Sequence, residues 1–367
     1  MTFSNKPILL FWETTKACPL HCVHCRADAI ERPLPGELNT EEGKRLIDQV
    51  AAFGKPAPLV IFTGGDPLLR EDLYDLFSYA SANGISFAVA PAVSKYLTSS
   101  VLDCFKSAGV NSISVSLDGS TKGTHDSIRK SEGTYDMTVR TIKYAVSIGL
   151  NIQVNTAVMH QNVNELPELF QLIKSLGVKT WEVFFLIKTG RGVSQDDLSP
   201  YESESVCNFL YDASQYGIVV RTVEAPFIRR VAAERSRRGS YWDDGLYVAL
   251  RTRLFSLCGS PSMQSTIRPV GTLDGDGTIF VSHDGTIYPG GFVPKPIGNV
   301  KSDVLADIYT KDSTLVAIRE RKFEGICGEC EYRHVCGGSR ARAYSYAGNP
   351  LGSDPACIKS SAAPNDE

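Results

Sequence analysis

The chain has 367 residues, of which 43% are hydrophobic and 22% charged, and it carries a formal net charge of −3. This is the composition of an ordinary globular protein with room for one large core and a second, smaller one, and the charge gives no reason to expect a nucleic-acid partner. The chain has no run of about eighteen apolar residues that would predict a membrane span, and its first residues are too polar for a signal peptide. We therefore expect a cytoplasmic protein without a membrane partner.

Short β-rich runs alternate with amphipathic runs of helical period over the first 220 residues. The predicted strands cover residues 9–13, 58–63, 86–90, 112–117, 152–158 and 181–187. The predicted helices cover residues 41–53, 71–82, 99–108, 134–148, 163–176 and 202–216, and a glycine closely follows each of them, as expected at a helix C-terminus. Six βα units in series predict an α/β fold with a parallel sheet, open or curved into a partial barrel, and place ligand sites at the carboxyl ends of the strands.

The pattern changes near residue 220. Residues 226–240 predict a basic helix, expected to be solvated, although its arginines could instead contact an acidic substrate. From Cys258 onward the chain is rich in Gly, Pro and Asp, and residues 278–288 predict a β-hairpin. Such a loop-rich region has little to bury and usually needs a metal or disulfides. We therefore expect a barrel domain at residues 1–220, a helical linker at 221–254 and a small module at 255–367.

Ten cysteines in a chain without a predicted export signal favour metal binding over disulfides. Cys18, Cys22 and Cys25 have the spacing C-x3-C-x2-C directly after the first predicted strand. Three thiolates on one loop can hold three irons of a [4Fe–4S] cluster and leave the fourth iron open for another ligand. A zinc site completed by His21 or His24 is the alternative that this spacing leaves open.

This loop, after the first strand of a repeated βα domain, resembles that of the radical S-adenosylmethionine (SAM) superfamily. In that family the open iron chelates SAM, one electron from the reduced cluster cleaves the sulfonium, and a 5′-deoxyadenosyl radical abstracts hydrogen from the substrate. The resemblance implies a partial (β/α)6 TIM-like barrel, an oxidoreductase activity and an electron donor such as flavodoxin or ferredoxin. His24 stands where the family usually has an aromatic residue, so it is expected either near the adenine or in a packing role.

A glycine-rich segment after the second predicted strand fits the resemblance. Gly64, Gly65, Asp66 and Pro67 resemble the family's GGEP motif, with Asp in place of Glu. Paired glycines let backbone groups approach a ligand closely, and in the family this segment bonds the SAM amino group. The resemblance therefore assigns these four residues to SAM binding, whereas a simple turn before Pro67 is the alternative.

Two further strand ends fit as well. Ser116 and Asp118 lie in an SLDG segment that ends the fourth predicted strand, and Arg129 follows. They resemble a family segment that lies near the SAM ribose and carboxylate, and the planar fork of an arginine suits a carboxylate. Asn155 has a similar position on the fifth strand. Each motif alone could be ordinary turn chemistry, but their order along the chain supports the resemblance.

A second group of cysteines, with the spacing C-x2-C-x5-C-x20-C, lies in the predicted C-terminal module. It resembles the SPASM extension, which adds one or two auxiliary [4Fe–4S] clusters to radical SAM enzymes. The resemblance assigns one auxiliary cluster to Cys327, Cys330, Cys336 and Cys357. A structural zinc site is the alternative that the spacing leaves open.

This chain departs from the full SPASM pattern at two positions. Gly290 and Ser339 stand where the full module has cysteines, and only Cys258 remains of the set that holds the inner cluster. The sequence therefore predicts that the inner cluster is absent. Cys258 is then expected to be a buried structural thiol, as are Cys104 and Cys207.

Three hypotheses about function remain open. The first is an enzyme that oxidises a small anionic substrate such as a porphyrin propionate, because the segments around Cys25 and Ser339 most resemble those of enzymes that modify tetrapyrrole side chains. The second is a radical modification of a peptide or protein, although the 17 residues before Cys18 leave no room for a leader-binding domain. The third is a zinc-stabilised binding protein without enzymatic activity.

Overall fold

Parallel strands form the centre of the protein, as the repeated βα pattern predicts. The computed structural model describes residues 3–268 and 270–361. Its strands are β1 (Leu9–Glu13), β2 (Leu59–Thr63), β3 (Phe87–Val89), β4 (Ile113–Ser116), β5 (Ile152–Val158), β6 (Thr180–Phe185), β7 (Val219–Val223), β8 (Leu273–Asp274), β9 (Gly277–Val281), β10 (Thr286–Tyr288) and β11 (Gly298–Asn299). All six predicted strands are therefore confirmed to within about two residues.

The α-helices are α1 (Thr40–Ala51), α2 (Leu73–Ala82), α3 (Ser99–Ser107), α4 (Lys122–Arg129), α5 (Thr134–Ser147), α6 (Leu166–Ser175), α7 (Pro200–Ala213), α8 (Ile228–Arg238), α9 (Gly245–Cys258), α10 (Leu305–Lys311), α11 (Ser313–Arg319), α12 (Gly325–Glu329), α13 (Arg340–Ala347) and α14 (Ile358–Ser361). Helices α1 to α7 follow the strands as predicted, except that α4 is an addition. Helices α1 and α7 begin with reciprocal capping boxes, Asn39 with Glu42 and Ser199 with Glu202. These caps satisfy the first backbone N–H groups and fix where each helix starts.

The described strands form one sheet in the order β11-β10-β9-β1-β2-β3-β4-β5-β6-β7, with β8 beside β9. Strands β1 to β7 are parallel to their neighbours, and the sheet is curved but not closed. On β5, side chains alternate between the apolar core under the helices, as at Val154 and Val158, and the concave side, as at Gln153 and Asn155. The concave side carries both polar residues, as on β5, and apolar residues such as Phe11 and Ile61. The open, curved parallel sheet confirms the predicted partial barrel, and its interior can receive ligands.

The parallel sheet extends one strand beyond the predicted end of the pattern. Strand β7 pairs with β6, with Val220 opposite Trp181. The prediction that the pattern breaks near residue 220 is therefore wrong by one strand. Strand β7 has only five residues, and its exposed face carries the apolar Val219 beside Arg221, so the sequence shows no clear alternation of apolar and polar residues.

The basic helix α8 differs from the solvated helix that the sequence predicts. Arg230 and Arg235 are buried, and they form ion pairs with Glu204 and Asp212 of α7. The expectation of a solvated helix is wrong for these two residues, because carboxylates more than twenty positions earlier in the chain neutralise them.

The C-terminal region joins the barrel through the sheet. Strand β9 is parallel to β1, with Leu9 opposite Thr278, and it forms the predicted hairpin with β10. The sheet therefore continues across residue 255, and the division into domains at residues 220 and 255 stays a prediction. Among the described residues, none of the helices has the length and apolar character needed to cross a membrane.

Candidate active site

The first three cysteines lie on the loop that follows β1, at the carboxyl edge of the parallel strands. Cys18 and Cys22 are buried and Cys25 is half-buried. All three line one cavity of about 260 Å³. The Cys18 N–H donates to the carbonyl of Ile30 at 2.7 Å, which closes the loop on itself. The sequence prediction that these thiols share a site is consistent with this placement.

The chemistry of this loop fits an iron–sulfur cluster. Burial, together with the neighbouring Asp66 and the other two thiols, raises the pKa of Cys18 to about 12. A thiol that binds metal must lose its proton, so a cationic group is needed to stabilise three thiolates here. Arg129 already contributes, since its Nη1 lies 3.5 Å from the Cys22 Sγ. Three thiols on one side of a cavity would hold a [4Fe–4S] cluster and leave one iron facing the remaining space.

The two glycines after β2 are required by close backbone packing. A Cβ on Gly64 would lie 2.5 Å from the Thr15 carbonyl oxygen, and a Cβ on Gly65 would lie 2.1 Å from that of Ala17. The Gly65 N–H also donates to the Thr15 carbonyl at 2.7 Å. Both glycines line the cavity. The two glycines therefore let the backbone before Cys18 pack closely against the segment after β2, and they also form part of the cavity wall.

Asp66 lies behind the cavity rather than in its wall. Its side chain is fully buried, and it accepts hydrogen bonds from Leu68 N at 3.2 Å, Ala92 N at 3.3 Å and Ser94 Oγ at 3.3 Å. Pro67 begins a short 3-10 turn at this point. These contacts agree with the turn that the sequence left as the alternative, and direct contact of Asp66 or Pro67 with SAM stays a prediction.

Asp118 is the centre of a buried charge network at the end of β4. It pairs with Arg129, its Oδ2 lies 3.3 Å from the His24 Nε2, and its Oδ1 accepts from the Ala157 N–H at 2.8 Å. Burial alone would raise the pKa of Asp118, but Arg129 and His24 hold it well below its usual range. His24 is thus held in place by a carboxylate, which the sequence did not indicate.

The remaining SAM contacts implied by the resemblance meet at the same cavity. Ser116, Asp118, Arg129, Asn155 and His24 line it together with the three cysteines. Ser116 and Asn155 occupy neighbouring positions on β4 and β5. Strand register therefore explains why residues far apart in the sequence share one wall.

Two residues that sequence reasoning missed hold the cysteine loop from outside. After β6, Arg191 donates from Nε to the Cys22 carbonyl at 2.9 Å and from its backbone N–H to the Cys25 carbonyl at 3.0 Å. Gly190 precedes it with a φ of +53°, and a Cβ there would lie 2.4 Å from the Cys25 carbonyl oxygen. The glycine–arginine pair after a predicted strand end was the only available signal.

A second cavity, of about 380 Å³, continues from the first into the concave side of the sheet. The two cavities share Thr63, Ser114, Asn155, Phe184 and Phe292 in their walls. The charged residues that line the second cavity are Arg26, Arg221, Arg229, Arg340, Glu182, Glu224 and Asp274. A substrate in this space would lie next to the SAM site.

The four C-terminal cysteines surround a small cavity of about 20 Å³. Cys327, Cys330, Cys336 and Cys357 all line it. Backbone N–H groups donate to the sulfurs of the first three at 3.4 Å, a pattern that tunes cluster thiolates. Burial raises the pKa of Cys336 to about 12 and that of Cys357 to about 11, so these thiols also need a cation to ionise. Such a set of four thiols fits one iron–sulfur cluster.

Acidic side chains lie beside Gly290 and Ser339, the two positions where the full SPASM pattern has cysteines, and the absence of an inner cluster stays a prediction. A Cβ on Gly290 would lie 1.7 Å from the Asp274 Oδ1. Ser339 Oγ donates to the Glu224 Oε2 at 2.5 Å. Cys258 ends α9 and packs against the hydrophobic core, away from the three cavities. Of the three cysteines expected to be buried structural thiols, Cys207 is buried and Cys258 is partly buried, whereas Cys104 is exposed on α3, so the expectation is wrong for Cys104.

Comparison with known proteins identifies the family. A model of the radical SAM superfamily matches residues 12–173. An "AdoMet-dependent heme synthase" of Methanosarcina barkeri is 33% identical over 360 residues, which cover 98% of each chain. The chain belongs to the radical SAM superfamily. A second AdoMet-dependent heme synthase, of Nitratidesulfovibrio vulgaris, is 34% identical over 353 residues, covering 95% of this chain and 91% of that protein.

The fold comparison agrees. The solved structure of anSMEcpe with bound AdoMet and a Cp18Cys peptide superposes with a TM-score of 0.68 at 15% identity, covering 96% of this chain and 94% of that one. The partial-barrel fold is thereby confirmed. Membership of the radical SAM superfamily confirms a [4Fe–4S] cluster and SAM as cofactors, whereas the cluster content of the SPASM-like C-terminal module stays a prediction. When bound, these cofactors supply a 5′-deoxyadenosyl radical that takes a hydrogen atom from the substrate.

Proposed function

We propose that this radical SAM enzyme is an oxidoreductase that oxidatively decarboxylates a propionate side chain of a tetrapyrrole. The observation that carries the proposal is the similarity to AdoMet-dependent heme synthases along nearly the whole chain, at 33% and 34% identity. A propionate becomes a vinyl group when the 5′-deoxyadenosyl radical accepts one hydrogen atom, CO2 leaves and the remaining electron passes to a one-electron acceptor. The oxygen-sensitive cofactors favour a reducing cytoplasm and a donor such as flavodoxin or ferredoxin.

The residues of the first cavity are assigned roles by their positions. Cys18, Cys22 and Cys25 would hold the SAM-binding cluster. Arg129, with its charge balanced by Asp118, would orient a carboxylate through its planar fork, and its contacts with Asp118 and the Cys22 sulfur support this role. Gly64, Gly65, Ser116, Asn155 and His24 form the rest of the wall that would receive SAM.

Four arginines and three acidic residues line the second cavity, and this small excess of positive charge favours a propionate-bearing substrate. Arg229 is partly exposed and donates only to backbone carbonyls among the described residues. Phe184, Phe280 and Phe292 give the second cavity apolar surfaces for a macrocycle. Since this cavity shares a wall with the first, a substrate side chain can reach the SAM site.

In the C-terminal module, we infer a single auxiliary cluster held by Cys327, Cys330, Cys336 and Cys357. All four thiols surround one cavity, whereas Gly290 and Ser339 cannot supply ligands to an inner cluster. Two clusters would give about eight irons per chain.

Product analysis after anaerobic reconstitution tests this function. The protein is incubated with SAM, dithionite and iron coproporphyrin III, and 5′-deoxyadenosine and porphyrin masses are followed. We expect porphyrin-dependent 5′-deoxyadenosine and products that have lost CO2 and hydrogen from propionates. The Cys18→Ala control should cleave no SAM yet retain about half of the iron, because the auxiliary cluster is untouched.

Two results would contradict the proposal. An unchanged porphyrin beside active SAM cleavage on a cysteine-containing peptide would favour the peptide-modifying hypothesis, since the structural neighbour anSMEcpe was solved with such a peptide. Iron near twelve per chain, on the basis of four irons per cluster, would contradict the single auxiliary cluster.

A further inference from the structure

A row of four polar side chains crosses the concave side of the sheet from β4 to β7. Strand register places Ser116 opposite Asn155 and Asn155 opposite Glu182. In the same register, Glu182 lies opposite Arg221. Ser116 lines the first cavity and Asn155 lines both cavities, whereas Glu182 and Arg221 line the second. The row therefore leads from the first cavity to the far wall of the second.

Arg221 lies at the end of this row, on the outermost parallel strand. The residue before it, Val220, is buried in the core under the helices, so the alternation along β7 turns Arg221 to the concave side. Asn155 and Arg221 are two strands apart, which corresponds to about 10 Å at the usual strand spacing. Arg221 is exposed, so a ligand in the second cavity can reach its guanidinium group.

The other arginines in the wall of the second cavity are already engaged by the protein. Arg26 forms an ion pair with Glu13. Arg229 and Arg340 donate to backbone carbonyls, and Arg340 is buried. Arg221, in contrast, has no hydrogen bond or ion pair to any residue that the structure describes. Its guanidinium donors are therefore available to an acidic ligand.

Glu182 is the acidic neighbour of Arg221 in the row, but its carboxyl group is held on the other side. Gln153 of β5 donates from Nε2 to the Glu182 Oε2 and to the Asn155 Oδ1, both at 2.8 Å. This holds the Glu182 carboxyl group on the β5 side of β6, whereas Arg221 projects from β7 on the opposite side. The donors of Arg221 therefore remain free, although Glu182 offsets part of its charge at longer range.

We propose that Arg221 binds one carboxylate of the substrate at the far wall of the second cavity and thereby selects substrates with an acidic group remote from the reacting side chain. The inference rests on the proposed function, because it assumes a tetrapyrrole with several propionates. The planar guanidinium group can bind a carboxylate through two parallel hydrogen bonds. A propionate of one ring is held there while that of another ring reaches the first cavity. Phe184 and Phe292 line both cavities and give the macrocycle an apolar surface where the cavities meet.

The binding of an acidic and an esterified porphyrin tests the inference. Iron coproporphyrin III and its tetramethyl ester, which has no carboxylate, are titrated separately into reconstituted, SAM-loaded protein, and binding is followed by the porphyrin absorbance. Arg221→Gln should weaken binding of the acid about tenfold, the lower end of what a charged hydrogen bond contributes, because Arg221 is open to solvent. Binding of the ester should not change, since the ester has no charge for Arg221 to recognise.

The matched control is Arg238→Gln. It removes the same charge from an exposed position at the end of α8 that lines none of the three cavities, so both porphyrins should bind as they do to the wild type. If Arg221→Gln does not fold, Arg221→Met, which keeps an apolar stem, is expected to show the same selective loss.

Two outcomes for the Arg221 variants overturn the inference while porphyrin binding by the wild type upholds the proposed function. The first is wild-type affinity for the acid, which means that Arg221 binds no carboxylate. The second is an equal loss for the acid and the ester, which indicates a structural role of Arg221. A wild-type protein that binds neither porphyrin overturns both the inference and the proposed function.

Discussion

Asp118 offers the sharpest test of how the SAM site is held together. Asn has nearly the same shape but no charge, and both Asp118 oxygens accept from donors, namely Arg129 with His24 on one side and Ala157 N on the other. In Asp118→Asn the amide NH2 must therefore face a donor, and Arg129 becomes an unpaired buried cation. Breaking a buried ion pair from one side costs about 3–5 kcal/mol, so we expect the free energy of unfolding to fall by that amount.

A double-mutant cycle separates this explanation from a general loss of packing. In Asp118→Asn/Arg129→Met both charges are absent, so the double variant should be more stable than the sum of the single losses predicts. The measurement is the urea midpoint at equal iron content under anaerobic conditions. Asp136→Asn is the matched control, because its pair with Lys122 is exposed and should contribute no more than about 1 kcal/mol. Additive losses in the cycle, or an Asp118→Asn variant as stable as the control, would refute the reasoning.

Two further predictions concern the segment after β2. In Gly65→Ala, the Cβ would lie 2.1 Å from the Ala17 carbonyl oxygen, so the cysteine loop must move and the SAM-cluster iron should be lost. Iron analysis tests this, with Gly123→Ala as the control that should keep full iron content, because a Cβ there meets nothing within 4 Å. Burial raises the pKa of Asp66 from 3.8 to about 6, which means that the folded state holds the proton more tightly than the unfolded state. Stability should therefore be lost as the pH rises from 3.8 to about 6, by about 3 kcal/mol, and Asp66→Asn should remove this loss in melting curves recorded against pH. A pH-independent wild-type protein would contradict the second prediction.

Local patterns were enough to predict the barrel, and the family resemblance identified residues that face its first cavity. Each strand of the βα series is a short β-rich run; Cys18, Gly64 and Ser116 follow or end such runs, and Asn155 lies within one. In a parallel sheet the carboxyl ends of the strands share one edge, so sequence position along each strand determines which residues meet. This is why motifs separated by more than 130 residues line the same cavity.

Residues whose partners lie far away in the sequence could not be found in this way. The local sequence predicts that Arg230 and Arg235 lie on a solvated helix surface, whereas in the folded protein they form ion pairs with Glu204 and Asp212. Arg191 contacts the cysteine loop from 169 positions away, and its only local signal is the preceding Gly190. Strand periodicity and motif spacing describe neighbours within an element, whereas these contacts depend on how helices and loops pack.

The contacts of the C-terminal module indicate that it forms part of the cavity wall. Arg342 of α13 donates from Nη2 to the Leu186 carbonyl at 3.1 Å, just beyond the end of β6, and from Nη1 to Glu224, just beyond β7. On the opposite side, Arg26 of the cysteine loop donates to the Gly291 carbonyl at 3.3 Å. Next to that carbonyl, Phe292 lines both cavities. Arg342 joins the C-terminal region to the strand ends and Arg26 joins it to the cysteine loop, so this region closes one side of the second cavity. Its residues Asp274, Gly290 and Phe292 therefore contribute to the chemistry of the cavity wall as directly as the strands do.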